Sequence, residues 1–86
     1  MREWIISLRN ASMVVKASDQ WAAWDTLKAR PVEDFGLIVL AEPNENGNPI
    51  PVQTEALMRR WGRDADARAF HALAVRHGLT AVGERP

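Results

Sequence analysis

The sequence predicts a small α+β domain: a three-stranded, mainly antiparallel sheet in β-β-α-β order, followed by a C-terminal helix pair. Three observations predict it. Residues 3–17 alternate apolar and polar positions in two short runs, the period of half-buried strands. Gly36-Leu37-Ile38-Val39-Leu40-Ala41 is apolar throughout, as a strand covered on both faces would be. Residues 54–79 carry apolar side chains at three- and four-residue spacing, broken once by Gly62.

In the first run, Trp4, Ile6 and Leu8 fall on one face and Ile5, Ser7 and Arg9 on the other. Asn10-Ala11 supplies a turn, since Asn tolerates positive φ. The second strand, Ser12 to Ala17, places Met13, Val15 and Ala17 opposite Val14. Ser18 is then the expected N-cap of a first helix, with Asp19 in its first turn. That helix should reach Arg30 and stop before Pro31, with Trp21, Trp24 and Leu27 as its buried stripe.

The apolar third strand follows. Leu37, Val39 and Ala41 point one way, and Ile38 and Leu40 the other. Each side calls for cover, by helices of this chain or by a partner. The simplest sheet has order 2-1-3; order 1-2-3 is the alternative. Helix one is expected on one face, and the C-terminal pair on the other face or over an edge.

Glu42 to Asn48 consists of turn formers and reads as a mobile loop. Pro49 to Val52 is extended, and its two prolines admit an edge strand at most. Thr54 is the expected cap of a helix from Glu55 to Trp61, and Asp64 of a third helix bearing Ala67, Phe70, Leu73, Ala74 and His77. Gly78 fits the C′ position, with Leu79 as its apolar companion. The expected organisation is one domain: a core over 1–42, a flexible or extended segment over 43–53, a helical pair over 54–79 and a frayed tail over 80–86.

Composition narrows the function. Eleven basic residues balance eleven acidic ones, so no overall field draws the chain to nucleic acid. There is no Cys, hence no disulfide and no thiolate metal site. No run approaches the roughly 18 apolar residues of a spanning helix, and no signal-peptide core fits between Glu3 and Arg9. A soluble, cytoplasmic protein without membrane contact is expected. The Ala and Arg bias hints at a GC-rich bacterial or phage source.

Catalytic signatures are missing. Ser7, Ser12 and Ser18 have no His near them in sequence, and no Gly-rich phosphate loop or GxSxG is present. His71 and His77 lie about 120° apart around a helix and cannot share one metal as an i, i+4 pair can. Glu42, Asn44 and Asn46 are spaced like calcium ligands before Gly47. The twelfth position is Gln53, however, and Pro49 and Pro51 stiffen the loop. No cofactor or metal is expected.

The positive signal is Arg59, Arg60, Trp61, Arg63 and Arg68, gathered at the second helix corner. Arg and Trp are common interface anchors. The same corner holds two acid-first i, i+4 pairs, Glu55 with Arg59 and Asp64 with Arg68, which would use the arginines internally. The third helix begins Asp-Ala-Asp, which argues against a recognition helix facing phosphates. The expected function is a non-enzymatic binding or adaptor protein acting through protein–protein contacts, with a homodimer among its assemblies. A nucleic-acid-associated accessory protein using the Arg59–Arg68 corner is the alternative, and a small enzyme the second.

Overall fold

A computed structural model describes residues 1–45 and 47–79. Its elements run β1 (Arg2–Ser7), β2 (Ser12–Ala17), α1 (Gln20–Asp25), a short 3₁₀ turn (Val32–Asp34), β3 (Ile38–Pro43), β4 (Ile50–Gln53), α2 (Thr54–Arg60) and α3 (Asp64–Arg76). The expected tail 80–86 and the ligand-like Asn46 lie outside the described residues.

The α+β class is as expected, but the sheet has four strands in the order β2-β1-β3-β4, every neighbouring pair antiparallel. The 2-1-3 arrangement is the simpler of the two anticipated. The added strand comes from the segment read as loop or extended chain. It sits at an edge, where Pro51 costs the ladder nothing because its missing N–H faces outward.

A single core lies on one face of this sheet. Trp4, Ile6, Ala17, Val39, Ala41 and Val52 meet Trp21, Trp24, Leu27, Leu57, Met58 and Phe70 there. The two helical regions thus share one face, contrary to the expected placement on opposite faces or over an edge. Asp25 of α1 explains the arrangement: it receives Arg60 and Trp61 from the end of α2, locking the helices side by side. Full burial of each large apolar side chain contributes about 1.5–3 kcal/mol relative to exposure, so one well-filled layer of helices can carry a sheet this small.

Local boundaries shift by a residue or two. The hairpin bends at Arg9–Asn10 instead of Asn10–Ala11. The Asn10 amide donates to the Glu33 carbonyl (2.9 Å) and the Arg9 N–H to that of Asp34 (2.9 Å), tying the hairpin to the connector. The cap of α1 is Asp19, not Ser18; its carboxylate accepts from the Ala22 N–H at 2.8 Å. Helix α1 ends at Asp25, short of Arg30. Beyond it Thr26, Leu27 and Lys28 bond three residues back, and the Thr26 hydroxyl donates to the Ala23 carbonyl (2.7 Å). A side chain competing for the helix carbonyls, with Pro31 ahead, tightens and ends the turn.

Thr54 does not cap α2. Its hydroxyl donates to the Gly36 carbonyl and its N–H to that of Leu37 (3.0 Å), fastening the start of α2 to the entry of β3. Asp64 is the first residue of α3 and not its cap. Both helix ends follow the glycine reading. At Gly62 (φ 75°) and Gly78 (φ 71°) the chain turns left-handed, and Arg63 and Leu79 donate back to Met58 (2.8 Å) and Ala74 (2.9 Å). This is the Schellman closure of the last carbonyls.

Candidate interaction surface

The Arg/Trp corner is held together from within. Arg60 forms a two-pronged pair with Asp25, Nε to Oδ1 at 2.7 Å and Nη2 to Oδ2 at 2.8 Å. Its guanidinium also lies over the Trp21 ring, 5.3 Å from the centroid. The Trp61 indole N–H donates to Asp25 Oδ1 (2.9 Å), and its ring sits 6.0 Å from that of Phe35. The Arg60 bond holds the Asp25 carboxyl below the usual carboxylate range; burial opposes this, and the Trp61 bond adds to it. The same pairing raises the Arg60 guanidinium.

Arg63 reaches Asp66 (2.9 Å) and the Arg30 carbonyl (3.0 Å). Arg59 meets Glu55, as its i, i+4 spacing suggests. Arg68 is exposed, and among the described residues the anticipated pair with Asp64 is not found. The first-turn acid that does form an ion pair is Asp66, with Arg63. Arg60 and Arg63 thus serve the joints between helical segments and Arg59 pairs within α2, leaving Arg68 outside the ion pairs found among the described residues.

Two contacts join residues that sequence reasoning kept apart. Glu55 accepts from Arg59 and also meets His71 Nδ1 at 2.9 and 3.0 Å, so it bridges α2 and α3. Asn44 donates its backbone N–H to the Glu3 carbonyl (2.9 Å) and its side-chain amide to the Glu3 carboxylate. That use of the turn-rich loop is structural. Among the described residues no group of three His, Cys, Asp or Glu side chains converges to hold a metal ion.

The surface that stands out is the second face of the sheet. Register places Glu3, Ile5 and Ser7 of β1 on it, with Ser12, Val14 and Lys16 of β2, Ile38, Leu40 and Glu42 of β3, and Pro51 of β4. Ile5 faces Val14 across one ladder, and Leu40 faces Pro51 across another. Ile5 and Leu40 are diagonal neighbours, so the apolar side chains form a band crossing all four strands. Val14 is 61% exposed and Leu40 39%. No described element covers them.

An antiparallel sheet with one face in water ordinarily carries polar residues there; here Glu3, Lys16, Ser12, Ser7 and Glu42 flank the band, with Ser7 facing Leu40 and Glu42 facing Ile5 across the β1–β3 ladder. The sequence reading placed Ile38 and Leu40 on a separate side and left its cover open between helices of the chain and a partner; the described helices all lie on the other face. The available signal was the alternation itself: Ile5, Val14 and Leu40 each fall opposite the core positions of their strands.

No protein-family model, curated protein or solved structure matches the chain. The class that fold and surface define is therefore an architectural one: a two-layer α+β domain with helices on one face of a four-stranded antiparallel sheet and, on the other, an apolar band that no described element covers. Among the described residues, no helix is long and apolar enough to cross a membrane.

Proposed function

We propose that the chain is a non-enzymatic binding module that acts through protein–protein contact, with the open face of the sheet as its contact surface. The observation that carries this reading is the Val14–Ile5–Leu40–Pro51 band, continuous across four strands and bare of any described element. Contiguous exposed apolar surface with a polar rim is the common mark of a docking site. The partner it fits presents an aliphatic patch of similar width, with its own charges placed to meet Lys16, Glu3 and Glu42.

The alternative is a nucleic-acid accessory role for Arg59, Arg60, Trp61, Arg63 and Arg68. It is the weaker reading, because phosphate would have to displace Asp25 from Arg60, Glu55 from Arg59 and Asp66 from Arg63.

The two readings separate by paired variants. Leu40→Glu with Val14→Lys should abolish binding of a purified protein partner with the fold intact. Arg60→Glu with Arg63→Glu should weaken that binding little. The opposite pattern, or a nucleic-acid complex whose affinity falls steeply with salt, would overturn the open-face reading in favour of the corner.

A further inference from the structure

Ladder phase decides which backbone groups face the two outer edges of the sheet. In an antiparallel pair, hydrogen-bonded positions alternate along each strand. The Leu8 N–H donates to the Ala11 carbonyl (2.8 Å), so within the β1–β2 register Ile6–Met13 and Trp4–Val15 are the bonded pairs. Met13 and Val15 therefore turn their N–H and C=O groups toward β1. Ser12, Val14 and Lys16 turn theirs outward.

At the far edge, the Thr54 N–H donates to the Leu37 carbonyl (3.0 Å), which sets Val52–Val39 and Ile50–Ala41 as the bonded pairs. The outward groups there belong to Pro51 and Gln53, with Pro49 just ahead of the strand. Proline has no N–H, so this edge offers a poor ladder to any incoming strand. The β2 edge is complete in donors and acceptors and carries no proline.

We infer that β2 pairs with β2 of a second copy of this chain, antiparallel about a two-fold axis at Val14, to form a continuous eight-stranded sheet. The segment Ser12-Met-Val-Val-Lys-Ala17 suits its own reversed copy in that register. Val14 meets the partner's Val14, and Ser12 meets the partner's Lys16, so no like charges oppose. All outward N–H and C=O groups of Ser12, Val14 and Lys16 find partners. On the helix-bearing side Met13 lies beside the partner's Val15; both are half-buried along the edge of the core and gain cover.

The proline-blocked β4 edge gives the assembly its limit. With a single usable edge, the contact is isologous and closes at two copies instead of running on as a fibre. The inference rests on backbone phase and does not require the open-face reading; a dimer with no other partner would leave it standing while that reading failed.

Sedimentation equilibrium of the full chain, with amide hydrogen exchange on the same samples, tests it. The expected result is a monomer–dimer equilibrium in which the Ser12, Val14 and Lys16 amides slow as concentration rises. Val14→Pro removes the two central bonds without touching the β1 ladder and should raise the dissociation constant at least tenfold. Val14→Lys, which leaves the backbone intact and sets four lysines along the seam, should do the same with native circular dichroism if the proline variant does not fold. A strict monomer at hundreds of micromolar, or a dimer unaffected by Val14→Lys, would overturn the inference.

Discussion

Asp25 ties α1 to the end of α2: it closes on Arg60 and accepts from the Trp61 indole, residues remote from it in sequence. Its folded-state pKa lies below the ordinary value, chiefly through the Arg60 bond. The unfolded chain therefore takes up this proton more readily than the folded one. The stabilisation is complete above the unfolded pKa of about 3.9 and is lost as pH falls through the lower folded value. Both partners are more than a third exposed, so solvent screening keeps the contribution to about 1 kcal/mol at neutral pH. Asp25→Asn should lose that amount and flatten the pH dependence of the denaturant midpoint below about pH 4. Parallel native and variant curves across that range would refute the assignment. Local pairs were legible at this scale because spacing fixes them, as with Glu55 and Arg59. Asp25 with Arg60 was not, since no periodicity links residues brought together by two separate packings against one sheet. Asp64 with Arg68 shows the opposite failure: spacing allows it, yet among the described residues the first-turn ion pair is Arg63 with Asp66.

At the scale of elements, helix ends read well where only one residue type could serve. Gly62 adopts φ 75° at the end of α2, and an added Cβ would meet nothing within 4 Å. The cost of Gly62→Ala is then backbone strain alone, about 1–2 kcal/mol, because the left-handed turn must persist for the Arg63 N–H to reach Met58. Urea unfolding should show the midpoint lowered with its slope unchanged, whereas an unchanged midpoint would mean the corner relaxes freely. Helix starts were harder to place. Ser18 and Asp19 are both competent caps, and the choice between them depends on where β2 releases the chain. Strand β4 was legible only as extended chain that could serve as an edge strand, because Pro49 and Pro51 bar a central place; those prolines suit the outer edge it occupies. The apolar run of β3 was legible as a strand, but its pattern states only that both faces are apolar. It does not state that one chain covers both.

For the whole molecule, one layer of helices on one face implies unequal stability. Strand β1 is paired on both sides and contributes Trp4 and Ile6 to the core; β3 is likewise internal and contributes Val39 and Ala41. Helix α3 packs chiefly on α2, entering the core through Ala67 and Phe70 and fastened by the His71–Glu55 contact. Its Leu73 and Val75 remain exposed, so α3 buries little of its own apolar surface against the sheet. Opening α3 leaves the Trp24–Ile6–Val39 centre intact, and a smaller buried area means a smaller free energy of opening. Native-state hydrogen exchange on the full chain should therefore find the slowest amides in β1 and β3. Amides of α3 should exchange at least about tenfold faster, through a sub-global opening worth at least 1.4 kcal/mol less than global unfolding. Low denaturant distinguishes the cases. A shallow dependence for α3 beside a steep one for β1 supports a separable helix. Merging of both onto one steep line from zero denaturant would show that α3 and the sheet unfold as one unit, and that the Phe70 anchor couples them more tightly than its burial indicates.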